Sequence, residues 1–226
     1  VLHKDKILKI GSQQDKLGLL SSRQAHLFTR ETGIGKEGTD YILNKVGEIA
    51  TGLSSERLFG FTEQYDWQIS YEAESISKFA ELQEGSQYML HFPTISDETI
   101  YIAEPSAIWV KQLNQRQSDE YLVEPIQCKC PREYSTFMRY TKMETPLSLK
   151  EFFPKDYWRV LDSMLICEAI AAYFFIYHPL FDEGANHHTI KFDRLPLIGD
   201  IKFLQARKRE AAAIYKTAME KITNKS

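Results

Sequence analysis

The feature that most constrains this chain is a double switch in its hydrophobic period. Helical spacing comes first, a two-residue alternation follows, and helical spacing returns towards the end. From Thr39 onward, Tyr41, Ile42, Val46 and Ile49 recur at helical spacing and stop near Gly52. A second helix is predicted over about 67–82, with Ile69, Ala73, Ile76 and Phe79/Ala80 on its apolar side. Segments 88–92, 100–104, 108–112 and 121–130 then read as four short strands. Asp97 and Glu98 fall in the turn between the first two, and 114–119 reads as a polar hairpin tip. Beyond Pro131, residues 135–143 and 156–171 read as helices. Residues 173–178 form an added strand ended by Pro179, 188–193 one more, and 201–222 a final helix. Ser21 and Ser22 read as N-caps of a short helix over 24–29. This order defines an α/β (α+β) fold with a central mixed sheet flanked by helices.

A chain of 226 residues with 43% hydrophobic and 12% aromatic content suits one globular domain, 1–226, with a large core. The formal net charge of -3 excludes nucleic-acid binding by bulk charge, so any DNA contact must use local basic residues. Three cysteines, Cys128, Cys130 and Cys167, predict reduced thiols in a cytoplasmic protein. Cys128 and Cys130 alternate with Lys129, a strand spacing rather than a metal-binding CxxC hook. The most apolar run, 164–177, is too short for a membrane span and contains Glu168.

Metal-dependent phosphodiester cleavage requires oxygen ligands for Mg²⁺, help in activating water, and a positive group near the developing charge. Residues two apart on a strand share a face, so an acid and a lysine at that spacing point into one site. Here Gln127 and Lys129 hold that spacing within Ile126-Gln127-Cys128-Lys129-Cys130-Pro131. About twenty residues earlier stands Glu104-Pro105-Ser106-Ala107-Ile108, and the helix Trp67-Gln68-Ile69-Ser70-Tyr71-Glu72 carries one acid. Lys16-Leu17-Gly18-Leu19-Leu20-Ser21-Ser22 precedes them, Ala50-Thr51-Gly52 closes the first long helix, and Met164, Tyr173, Phe174, Tyr177 and Pro179 follow.

Taken in order, these segments resemble the lambda exonuclease (YqaJ) family of phage recombination exonucleases over roughly residues 13 to 220. The resemblance implies a restriction-endonuclease-like PD-(D/E)xK core. Lys129, Cys130 and Pro131 match its "E-x-K-C-P" strand, with Gln127 where Glu is expected. Pro105 and Ile108 match its "x-P-D-G-L" turn, with Ser106 where Asp is expected and Ala107 in place of Gly. Glu72 takes the place of a metal-binding Glu, with Gln68 where Gly is usual. Arg159 and Leu161 stand where Gln residues are expected, one of which lines the family's site.

The activity implied is Mg²⁺-dependent (or Mn²⁺-dependent) exonuclease action on double-stranded DNA ends in a phage or prophage recombination system. The implied partners are a single-strand annealing protein and further copies in a homo-trimer. Lys129, Gln127 and Ser106 are the expected catalytic positions, Glu72 and Glu104 the metal ligands, and Lys16 and Ser22 the phosphate contacts. Glu104 enters as a stand-in for the lost Asp, since two residues apart on one strand it would share a face with Ser106. Glu72 is the expected partner of Lys129. Two neutral residues where carboxylates are expected favour a second reading, a non-catalytic protein that binds DNA ends. His178, His187 and His188 raise a transition-metal site, but adjacent strand residues point to opposite faces. Lys202 and Arg207-Lys208-Arg209 read as the wet face of the last helix.

Overall fold

The computed structural model describes residues 7–8, 16–55, 63–83, 88–91, 93–96, 100–112 and 121–224. Its centre is a five-stranded sheet in the order β3 (Tyr88–His91), β6 (Ala107–Gln112), β7 (Tyr121–Lys129), β8 (Ala171–Tyr177), β9 (His187–Asp193). β7 and β8 run parallel, with Ile126 opposite Tyr173 and Lys129 opposite Ile176; the other neighbours are antiparallel. The parallel pair requires a crossover. It is supplied by α3 (Tyr134–Tyr140), α4 (Pro146–Phe152) and α5 (Pro154–Ile166). β8, covered on both faces, reads AAYFFIY and is buried throughout. A smaller mixed sheet joins β1 (Ile7–Leu8), β4 (Thr94–Ser96), β5 (Tyr101–Ala103) and β2 (Leu20–Ser21) in that order. The expected fold class, a mixed sheet core flanked by helices, is the one observed.

Strand alternation distributes the core between two layers. Ala107, Trp109, Ile126, Cys128, Tyr173 and Phe175 face α2 (Glu63–Glu81), which contributes Ile76 and Phe79. Phe79 sits edge-on to Trp109, Tyr173 and Phe175, with ring centroids at 5.9, 5.3 and 5.3 Å. Its full burial contributes about 2 kcal/mol. The other face carries Ile108, Val110, Val123, Phe174 and Ile176 against Leu161 and Met164 of α5. Gln127 and Lys129 alternate with the Cys residues and so belong to the α5 side.

Ser21 caps a 3-10 segment, Ser22–Phe28, its hydroxyl accepting from the Arg23 N–H. α1 (Lys36–Thr51) stops at Gly52, which adopts φ 68°. Gly18 turns the chain ahead of β2 at φ 77°, and a Cβ there would lie 2.5 Å from Ile49. Glu48 accepts the Gly18 N–H at 3.0 Å, and the Tyr215 hydroxyl donates to its carbonyl at 3.0 Å. α6 (Ile198–Thr223) is tied to α5 by the buried pair Lys208–Asp162 at 2.7 Å.

Several expectations need correction. Ile69 and Ala73 are exposed; the inward face of α2 carries Ser75, Ile76 and Phe79, with Glu72 one turn earlier. The helix read as 156–171 ends at Ile166, where Glu168 takes φ 53° and reverses the chain into β8. α4 is additional, started by a Thr145–Ser148 capping box and Pro146. β4 is also additional. The turn with Asp97 and Glu98 and the tip at 114–119 lie outside the described residues.

Candidate functional site

The site lies where β6 begins beside the middle of β7. Ser106 precedes β6, and its hydroxyl makes three hydrogen bonds. It donates to Glu72 Oε1 from α2 and accepts from Gln127 Nε2 and the Cys128 N–H, each at 3.0 Å. One donated and two accepted bonds exhaust a hydroxyl. Gln127 Nε2 also donates to the Cys128 carbonyl at 3.2 Å, while Gln127 Oε1 is buried without a partner. Ser106, Gln127 and Glu72 are thus brought together, as the sequence predicts.

Lys129 departs from expectation in its partner. Its Nζ lies 3.7 Å from Asp156 Oδ1 on α5, while Glu72 is engaged by Ser106. The cause is alternation along β7: α2 covers Cys128 and Cys130, and α5 meets the face of 127 and 129. Asp156 also accepts from the Tyr140 hydroxyl. Burial and the Asp156 charge both push the Tyr140 phenol up, so it stays a protonated donor.

Glu104 is placed differently from the metal-ligand role expected for it. β5 ends at Ala103 and β6 starts at Ala107, so residues 104 and 106 do not share a strand. The Glu104 carboxylate turns instead to the 3-10 segment. It binds Lys16 and accepts from the Ser21 hydroxyl at 2.9 Å, with Arg23 Nε 3.6 Å away. Burial raises its pKa, but Arg23, Lys16 and Ser21 together outweigh that and hold it at about 2. Lys16 therefore reaches the site already paired. Ser22 is fully buried, its hydroxyl accepting from the Glu104 N–H at 3.4 Å and from Ser163 at 3.3 Å. That placement does not support its expected contact with phosphate.

Arg159, noted in the sequence only as a departure from Gln, follows Asp156 by three residues on α5. Its Nη2 donates to the Glu104 carbonyl at 3.4 Å, and its Nε is buried without a partner. Sequence reading missed Asp156, Arg159, Arg23 and Tyr140. Their signal was weak: polar positions on a predicted helix usually face solvent.

The donor set does not fit a divalent metal. Among the described residues Glu72 is the carboxylate bonded at Ser106, and that bond already engages it. Ser106 has no lone pair left, and an amide oxygen supplies no charge. Among the described residues no group of three His, Cys, Asp or Glu side chains is gathered to hold a metal. His188 Nε2 donates to the Met143 carbonyl (2.7 Å), His187 contacts Asn186, and His178 is buried among Trp67, Tyr134, Phe137 and Phe181. The thiols of Cys128 and Cys130 are buried and pushed up, Cys130 to about 12, so neither is a ready ligand.

No protein-family model matches the sequence, and no curated protein matches it. Solved structures resemble it closely in fold. The alkaline exonuclease LHK-Exo from Laribacter hongkongensis gives a TM-score of 0.64 at 13% identity, covering 94% of this chain and 97% of that chain. The same exonuclease in complex with dAMP gives 0.65 at 13% identity over the same shares, 94% and 97%. A phage-related exonuclease from Haemophilus somnus 129PT gives 0.59 at 13% identity, covering 90% and 96%. The chain therefore shares the fold of these exonuclease structures; at this identity the likeness shows the fold alone. Among the described residues no helix is long and apolar enough to cross a membrane.

Proposed function

We propose that this protein binds the ends of double-stranded DNA on an exonuclease-type scaffold and does not hydrolyse them. The observation that carries the reading is the closed set Glu72–Ser106–Gln127, in which a saturated hydroxyl and an amide stand where metal-binding carboxylates are expected. Lys129, beside Asp156 of α5, and Arg159, three residues further along the same helix, supply positive charge for phosphate. An open cavity of about 810 Å³ beyond the end of β7 is lined by Trp67, Tyr134, Glu133 and Arg132, the last paired with Glu63. Aromatic faces beside a guanidinium suit a nucleobase, which favours DNA over a simple phosphate ligand. The family resemblance adds a phage or prophage recombination setting, with a single-strand annealing protein and a homo-trimer as the corresponding partners.

The second reading is a Mg²⁺- or Mn²⁺-dependent exonuclease, favoured by Glu72 and Lys129 at family positions within the exonuclease fold. One assay separates the two. Purified protein is incubated with linear 5′-phosphorylated duplex and Mg²⁺ or Mn²⁺, beside Lys129→Ala. The expected result is retention of ends without loss of duplex. Metal-dependent digestion that disappears in the variant would establish the enzyme instead.

A further inference from the structure

The cation at the centre of this site is a side chain. The Arg159 guanidinium interacts electrostatically with three carboxylates, Asp156, Glu72 and Glu104, and is repelled by Arg23. Each of the three acids is engaged elsewhere: Glu72 by Ser106, Asp156 by Lys129 and Tyr140, and Glu104 by Lys16 and Ser21. None accepts from it in the short, bidentate arrangement that a half-buried guanidinium usually takes. Its hydrogen bond to the Glu104 carbonyl is long at 3.4 Å, and among the described residues its Nε has no partner. A buried, charged N–H without an acceptor is costly to keep, and an incoming anionic oxygen removes that cost. Gln127 Oε1 is likewise buried and unpartnered, so the hydrogen-bonding capacity of this site is incompletely used.

We propose that Arg159 serves as the fixed cation of the site, and that with Lys129 it holds a phosphodiester or terminal phosphate oxygen of DNA without any divalent metal. The inference rests on the end-binding reading above and adds to it the residue and the metal independence. Burial lowers the Arg159 pKa to about 10, which leaves it a cation at neutral pH. A guanidinium keeps its charge where a buried ammonium loses it, and its planar fork matches two phosphate oxygens. The same fixed charge repels a divalent ion approaching Glu72.

The test is fluorescence anisotropy of a labelled, 5′-phosphorylated blunt duplex at low salt, in EDTA and then in Mg²⁺. Wild-type protein should bind equally well in both. Arg159→Gln should lose about tenfold or more in EDTA, and the slope of log affinity against log salt should fall by about one. Arg159→Lys should retain part of the affinity, because charge remains and the fork is lost. Wild-type binding that requires Mg²⁺ overturns the inference and leaves end binding standing. Arg159→Gln binding as tightly as wild type overturns it as well. No binding in either condition removes the end-binding reading and the inference together. Circular dichroism checks that the variants fold; should Arg159→Gln not fold, the EDTA comparison on wild-type protein and the Lys variant decide.

Discussion

Replacing Glu104 by Gln should weaken the fold and strengthen DNA binding at once. The carboxylate is 13% exposed and serves Lys16, Ser21 and Arg23. Its pKa falls from 4.5 to about 2, which by linkage corresponds to about 3 kcal/mol at neutral pH. The partner side chains, Lys16 and Arg23, are 34% and 51% exposed, so water screens part of that gain. About 2 kcal/mol is the figure to expect after that discount. The folded pKa lies below the unfolded one, so this stability is fully present above pH 4.5 and drains away as pH falls towards 2. In a chain of this length a loss of that size lowers Tm by about 6 °C at pH 7. Thermal unfolding followed by circular dichroism from pH 7 down to pH 3 measures it. Wild-type stability should fall through the acid range, and Glu104→Gln should show a shallower fall from a lower starting point. The same substitution frees Lys16 and Arg23 from a competing anion. Affinity for 5′-phosphorylated duplex should therefore rise at low salt, with a steeper salt dependence. Identical pH profiles for the two proteins, or weaker DNA binding by the variant, would refute this account of Glu104 as the residue that occupies these cations.

Two further outcomes follow from the same geometry. Ser106→Asp with Gln127→Glu should leave Mn²⁺ binding, read by calorimetry, weak while Arg159 is present, and adding Arg159→Gln should make it measurable; strong binding by the double variant alone would assign Arg159 no part in excluding metal. Lys208→Ala removes the cation that lies 2.7 Å from the buried Asp162 and under the Tyr101 ring, and should cost about 3 kcal/mol in urea unfolding.

The layering of this fold was legible because hydrophobic period reports which residues share a face. β8 and β9 stand out in the sequence as a continuous apolar run and an alternating one, and the structure places them inside the main sheet and at its edge. The same reasoning correctly put Gln127 and Lys129 on one face of β7. It failed where the answer lay in which helix covers that face. Local spacing carries no information on whether α2 or α5 lies opposite, and Lys129 was assigned to Glu72 when Asp156 is its partner. The α2 stripe was misread for a related reason. Ile69 attracts a periodicity reading, but the helix turns Glu72, Ser75 and Phe79 inward because the Ser106 hydroxyl and the Trp109–Phe175 layer await them. Glu104 shows a third limit: two residues apart means one face only if both lie on a strand, and here a non-strand turn intervenes.

Arg159 is the residue whose meaning changes most between sequence and structure. Alone it is a departure from an expected Gln, with no reason attached. Beside Ser106 and Gln127 it completes a consistent change in charge. Each neutral residue in place of an expected carboxylate removes one negative charge, and an arginine in place of a glutamine adds one positive, a shift of three units towards positive. A divalent ion supplies two. On the end-binding reading, the three positions replace the charge of a bound metal with charge fixed in the chain. The replacement is not equivalent in chemistry. A guanidinium attracts and orients a phosphate but has no exchangeable water to activate, so a site built on it would keep positive potential without the nucleophile a metal generates.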